Sequence, residues 1–379
     1  MLVLFFLAAL TASAQQLGRV VESVKCDADP SQTYALYLPL RYAPERSWPV
    51  ILAFDPRARG RVPVEIYQAA AEKFGYIIAG SNNSRNGSWA VSMAAAEAMT
   101  NDVMQNYQVD RKRLYTAGMS GGARVALGIA ISSNLIAGVI ASSAGYPDSK
   151  PRKTVPFALF GTAGTEDFNY LEMRQLDRTL TTPHRVAVFE GGHVWLSSAL
   201  AMEAVEWMEL QAMKSGRKPR DPAWIEQVFS SRAAACQQKS GKELLLGLEA
   251  MAADFEGLKD VSEFMSRAAV LHRDKKVRDT LKKDRAEEEN EQRRIDEILS
   301  MERQLLAALG SAGERRTALS QLRVRWQKIA SVADAAEDSA ERRMARRILR
   351  GLMMASGERV KDPDYRAMLA EFRPANLRQ

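Results

Sequence analysis

The chain has 379 residues, 46% of them hydrophobic, enough for a large core and a second unit, and length alone suggests about two or three domains. Its net charge of +7 includes a tail in which acids and bases alternate. That is the pattern of solvated, salt-bridged helix faces rather than of a nucleic-acid stripe, and no nucleic-acid motif accompanies it. Two cysteines (Cys26, Cys236) and three histidines (His184, His193, His272) fall in no metal-ligand spacing, so neither a metal nor a cofactor is expected. The thiols read as unpaired and buried, although in an exported protein they could pair.

The amino terminus opens on an apolar block, Leu2 to Leu10, followed by Ala12-Ser13-Ala14, a small-x-small cleavage pattern. Residues 1–14 therefore read as a secretory signal peptide, with the mature protein periplasmic or secreted, although no Lys or Arg precedes the block. The block is shorter than the roughly 20 residues a spanning helix needs, and no later run approaches that length. Stable membrane insertion is not expected once the signal is removed.

Gly18 to Val24 and Thr33 to Leu38 read as strands, rich in β-branched and aromatic residues and separated by Asp-Pro-Ser. Trp48 to Phe54 (WPVILAF) is continuously apolar, as a strand buried on both faces of a parallel sheet must be. A helix from about Pro63 to Phe74, a strand Tyr76 to Ala79, a polar loop Gly80 to Gly87 and a helix Trp89 to Tyr107 follow. After the stretch Arg113 to Ile131 come strands Leu135 to Ser142 and Val155 to Phe160, a helix Asn169 to Leu180, a strand Arg185 to Phe189 and a helix Ser197 to Met213. Strands alternating with helices predict a doubly wound, mostly parallel α/β sheet. The short link between the two strands after Ile131 leaves no room for a lid domain.

Past the Gly- and Pro-containing break Lys214 to Arg220, strand signals vanish. The reading is a catalytic domain over residues 17–215 and an all-α domain over 216–379, with helices over Trp224–Gln238, Lys242–Phe255, Val261–Leu271, Lys275–Leu309, Glu314–Val332 and Ala340–Ser356. Helical hairpins are expected. Asp362-Pro363-Asp364-Tyr365 faintly resembles a tetratricopeptide helix start, and a plain helical bundle fits as well. The segment Arg285 to Arg294 is polar nearly all round, an exposed helix or a linker.

The chemistry is concentrated in RLYTAGMSGGARVALGIAI, Arg113 to Ile131, where a short β-prone run enters Gly118-x-Ser120-x-Gly122 and a helix leaves it. On such a strand-to-helix turn, the nucleophile elbow, glycine is needed two residues either side of the serine to avoid backbone collision. The helix N-terminus beneath Ser120 favours developing negative charge. A neutral serine needs a base and an acid to orient that base. His193, in a glycine-flanked loop past the carboxyl end of a strand, is the base. His184 precedes the same strand and His272 lies in the helical tail. Asp167, after the strand ending at Phe160, is the preferred acid, with Glu166 as the runner-up; Asp167 could instead only cap the next helix.

The order Ser120, Asp167, His193 and the stretches GMSGG, GTEDFN and GGHVW resemble the α/β-hydrolase superfamily, and within it the lid-free esterases of the dienelactone hydrolase, feruloyl esterase and polyhydroxybutyrate depolymerase types. The resemblance spans Tyr34 to Met213, about half of the chain. It implies serine hydrolysis of a carboxylic ester through an acyl-enzyme. One stretch departs: many relatives carry His-Gly after the third strand, and here Asp55-Pro56-Arg57 stands there. Pro56 has no N–H, so Arg57 and Gly121 are the expected oxyanion donors, and Asp55 either caps the turn or joins the site. Asn83 and Asn86 of the polar loop, and Trp195 beside His193, are candidate substrate-binding residues. Arg57, Arg59 and Arg61 raise an anionic substrate, or are simply solvated. A peptidase of the same fold and a non-catalytic scaffold, whose helices carry a protein partner, stay open beside the esterase.

Overall fold

The computed structural model describes residues 16–148 and 150–372; the signal peptide expected over residues 1–14 lies outside them. The eight strands are β1 (Val20–Lys25), β2 (Thr33–Tyr37), β3 (Trp48–Phe54), β4 (Ile77–Ser81), β5 (Val109–Met119), β6 (Ile136–Ser142), β7 (Ala158–Gly164) and β8 (His184–Phe189). They form one sheet in the order β1-β2-β4-β3-β5-β6-β7-β8. β3 lies parallel to β4 and β5, and β7 parallel to β8, while β2 runs antiparallel to both of its neighbours. Every residue of β3, β4 and β6 is buried, which is why these strands read as unbroken apolar or small-residue runs.

The helices interleaved with the strands are α1 (Arg61–Phe74), α2 (Trp89–Asn106), α3 (Gly121–Ser132), α4 (Tyr170–Thr179) and α5 (Ser198–Lys214). No strand follows β8 among the described residues. The chain continues as α6 (Pro222–Gln237), α7 (Gly241–Phe255), α8 (Ser262–Leu271), α9 (Lys275–Ala307), α10 (Ala312–Ala333), α11 (Ala340–Arg359) and α12 (Pro363–Glu371). Among the described residues no helix is long and apolar enough to cross a membrane.

Two compact units are distinguished. Of the described residues, the first holds those up to Gly138 together with Leu196–Glu206; the second holds those from Val139 to Trp195 and from Trp207 onward. In the first, α1 buries Val64, Tyr67, Ala70 and Ala71, and the Asp102 carboxylate of α2 accepts hydrogen bonds from the Tyr34 hydroxyl at 2.6 Å and the Asp27 N–H at 2.7 Å. In the second, α6, α7 and α8 close over Ile225, Val228, Met251 and Phe255. A further core gathers Ile298 and Leu305 of α9, Leu322 and Trp326 of α10, Ile348 and Leu349 of α11, and Tyr365 of α12. Asp362 caps α12 by accepting from the N–H groups of Asp364 and Tyr365, with Pro363 in the first turn. The polar segment around Arg285 to Arg294 is the middle of α9, a continuous helix of 33 residues.

Two boundaries differ from expectation in a way that bears on the site. The strand expected over Val155 to Phe160 is shifted to Ala158–Gly164. Pro156 cannot donate to a ladder, and Gly161-Thr162-Ala163-Gly164, loop-like by composition, pairs instead with Val186 to Phe189. β5 extends well before the β-prone core of the elbow stretch, back to Val109. Cys26 and Cys236 are both buried and free.

Candidate active site

Ser120 stands between β5 and α3 with φ 54° and ψ −121°, one of three non-glycine residues at positive φ among those described. Two glycines make that strained conformation attainable. A Cβ on Gly118 would overlap the carbonyl of Gly122, and one on Gly122 would overlap the carbonyl oxygen of Phe54 at the end of β3. The serine side chain makes no capping bond to α3. The first-turn N–H groups of that helix, Gly121 among them, have no intrahelical acceptor and point toward whatever sits beside Ser120.

Gly121 is required for a different reason. A Cβ there would overlap Oδ1 of Asn86, so the Asn86 side chain packs directly against the residue after the serine. The Asn86 N–H donates to the Pro56 carbonyl at 2.9 Å, which ties this loop to the one after β3. Asn83, in contrast, is fully engaged elsewhere: its Oδ1 accepts from the Thr33 N–H at 2.8 Å and its Nδ2 donates to the Ser31 carbonyl at 3.1 Å. That amide braces the turn before β2.

The Arg57 N–H, expected to face an oxyanion, donates to Oδ1 of Asp55 at 2.8 Å. Asp55 is fully buried and also accepts from Arg59 Nε at 3.0 Å and Nη2 at 2.9 Å. Of the two roles expected for Asp55, the capping one is what it performs: its carboxylate closes an Asx turn that takes Arg57's N–H out of service. The side chains of Arg57 and Arg59 are exposed, and that of Arg61 is paired with Glu22 and Glu65.

In the second unit the structure brings Asp167 and His193 together. His193 Nδ1 lies 2.8 Å from Oδ1 of Asp167, which is completely buried. An ionised carboxylate only accepts, so Nδ1 carries the proton and Nε2 is the basic nitrogen. The same Oδ1 accepts from the Asn169 N–H at 2.8 Å, an Asx turn ahead of α4, whose N-cap is Asn169 and not Asp167. Oδ2 is buried with no protein partner.

Backbone pairing fixes both loops. Glu166 N–H donates to the Gly191 carbonyl at 2.7 Å and Thr165 N–H to that of Phe189 at 2.8 Å. Ser143, at φ 61°, donates its hydroxyl to the Val194 carbonyl at 3.0 Å. Gly164 has no room for a side chain, because the carbonyls of Gly191 and Gly192 occupy that space.

The alternatives for the acid and base are spent elsewhere. Glu166 pairs with Arg346 at 2.7 Å and does not face the imidazole. His184 has Nδ1 on the Thr182 carbonyl and Nε2 on the Asp177 carbonyl, each at 2.8 Å. His272 lies in the helical tail against Glu249. Trp195 is half-buried two residues past His193. The sequence reading missed Phe168, whose ring stacks on His193 with centroids 3.9 Å apart and planes 30° apart. Its position one residue after the acid was the only signal.

No family model matches this sequence, and no curated protein matches it. Solved structures do. A ferulic acid esterase is similar over 50% of this chain and 97% of its own, at 17% identity and a TM-score of 0.40. Butyrate-bound esterase 2 of Thermogutta terrifontis is similar over 54% of this chain and 96% of its own, at 16% identity and a TM-score of 0.39. A puromycin-hydrolyzing peptidase of Mycobacterium tuberculosis matches over 52% of this chain and 40% of its own, at 11% identity and a TM-score of 0.40. The strand order, the antiparallel β2, the strained serine after β5 and the carboxylate and imidazole after β7 and β8 together make this the α/β-hydrolase fold.

Proposed function

We propose that this protein is a serine hydrolase that cleaves carboxylic esters, with Ser120 as nucleophile, His193 as general base and Asp167 as the group that holds the base. The bond from His193 Nδ1 to a buried Asp167 supports this reading most, because a merely structural loop histidine has no need of an enclosed carboxylate. The strained Ser120, backed by a helix N-terminus, supports it from the other side. In the proposed cycle Ser120 Oγ attacks the acyl carbon as its proton passes to His193 Nε2. The imidazolium then gives that proton to the departing alkoxide, and a water repeats the sequence on the acyl-enzyme.

The tetrahedral oxyanion takes hydrogen bonds from the Gly121 N–H and, in place of Arg57, from the Nδ2–H of Asn86, whose Oδ1 packs against Gly121. Trp195 is assigned to the wall of the substrate pocket. The apolar leader supports export to the periplasm or beyond, and the composition break near residue 215 supports a catalytic domain followed by a helical one.

A fluorophosphonate probe tests the assignment. It should label the wild-type chain at Ser120 and not label Ser120→Ala. A protein that uses the fold only as a scaffold would give no adduct. Turnover of matched esters and amides separates an esterase from a peptidase, and the esterase reading requires the ester to be much the faster.

A further inference from the structure

Four consecutive residues of the acid loop, Thr165 to Phe168, each make a contact outside the loop. Asp167 holds the imidazole. On one side of it, Glu166 accepts from Arg346 Nη1 at 2.7 Å and lies 3.4 Å from Arg350 Nη1, both on α11. The carbonyl of the preceding Thr165 accepts from Arg347 of the same helix, which also forks onto Glu291 of α9. On the other side, Phe168 lies between α11 and the base. A Cβ on Gly351 would stand 3.0 Å from Phe168 Cβ, while the Phe168 ring stacks on His193. Arg346, Arg347, Arg350 and Gly351 follow i, i+3 and i+4 spacing, so one face of α11 makes all of these contacts.

Exposed ion pairs seldom matter, but these are not exposed. The side chains of Arg347 and Glu291 are 11% and 3% accessible, and Glu166 is 17% accessible. Desolvated charges of this kind hold a fixed geometry or else cost stability. Their common target is a loop that the Thr165 and Glu166 N–H groups already tie to the carbonyls of Phe189 and Gly191, so the pairing of the two loops does not itself call for them.

We infer that α11 is a positioning element for the general base: through Gly351 and Phe168 it sets the orientation of the His193 ring, and through Arg346 and Arg347 it fixes the loop that carries Asp167. The helical region is then part of the catalytic apparatus and not only a docking module. This rests on the reading of His193 as the base. Phe168, Arg346, Arg347 and Gly351 are positioning residues, since each acts through Asp167 or His193.

The test uses the full chain with Gly351→Ala and Gly351→Leu, p-nitrophenyl acetate as substrate, and the strongly deshielded proton resonance of His193 Nδ1–H as a direct report on its bond to Asp167. Gly351→Ala sets alanine's better helix propensity against the methyl's 3.0 Å approach to Phe168 Cβ and should lower kcat with KM unchanged. Gly351→Leu should lower kcat on the order of tenfold, as a displacement below 1 Å at the reacting groups can, and should shift or broaden the Nδ1–H resonance. In a Phe168→Ala background Gly351→Leu should do nothing further. Arg323→Ala, which breaks the exposed pair with Glu371 far along the same region, should leave all readouts in place.

A folded Gly351→Leu chain with wild-type kcat and an unmoved resonance overturns the inference, and so does an equal loss in the presence and absence of Phe168. If Gly351→Leu fails to fold, the alanine variant decides by the same readouts. If even the wild type shows no Ser120-dependent hydrolysis, the esterase reading falls, and the Nδ1–H resonance still decides whether α11 sets the imidazole.

Discussion

The turn that carries Ser120 and the loops that carry Asp167 and His193 are held in place by opposite means. Around Ser120 the constraint is local backbone: glycines at 118 and 122 allow β5 to turn into α3 against the carbonyl of Phe54. Around His193 the constraint is distant in sequence: the acid loop is gripped by α11, some 180 residues further on. A nucleophile needs one strained residue, which neighbouring glycines can supply. A base needs its ring plane fixed as well as its position, and the backbone bonds of its loop set only the latter. The difference explains how an all-helical region can matter to a sheet-borne reaction.

The most severe break in the local half is Ser120→Ala, which should lower kcat on the order of 10⁶-fold in steady-state ester hydrolysis while the melting temperature stays or rises. Asn86→Ala comes next and distinguishes the two oxyanion assignments. Loss of a side-chain donor should cost roughly 10²- to 10³-fold in kcat with little change in KM, whereas Arg57→Ala, which keeps its N–H on Asp55, should be nearly silent. Gly122→Ala acts on stability as well as on the turn that holds Ser120. A methyl overlapping the Phe54 carbonyl should cost about 1–3 kcal/mol or more in urea unfolding.

The two buried thiols sharpen the comparison, since Cys26 lies in the first unit and Cys236 in the second. Burial, reinforced by the nearby carboxylates of Asp102, Asp29 and Asp27, pushes the Cys26 thiol up to about 11. At pH 8 its thiolate is therefore only about one part in a thousand, and iodoacetamide should leave native Cys26 unmodified. The sign follows for stability: the neutral thiol is favoured in the fold, so its contribution is fully present below the ordinary thiol range and is lost as pH rises toward 11. Gly122→Ala should expose Cys26 to alkylation at lower urea than in the wild type, with Cys236 changed less. The smallest effect is expected at Arg323→Ala, whose melting temperature should match that of the wild type, because the pair with Glu371 is exposed.

Most of the framework was legible in the sequence because its elements obey local rules. WPVILAF could hardly be anything but a central strand, and GMSGG between a strand and a helix points to one turn geometry. Asp167 and His193 could be picked because each follows a strand at a glycine-rich loop. What local rules could not show is where a backbone N–H goes. Pro56 has no N–H, which points to Arg57 as an oxyanion donor, yet the buried carboxylate of Asp55, two residues before Arg57, accepts that hydrogen bond. Asn83 and Asn86 look alike in a polar loop, but one is spent on the turn before β2 and the other packs on Gly121. The arginines of α11 read as a solvated helix face, since nothing in RRMARRILRG says that Glu166 and Phe168 lie beneath them.

Intact-mass and peptide analysis after fluorophosphonate treatment tests the central claim most directly. The account predicts a single adduct on Ser120, absent from Ser120→Ala and formed far more slowly by His193→Ala. An unmodified wild-type chain, or an adduct that persists when Ser120 is replaced, would contradict it.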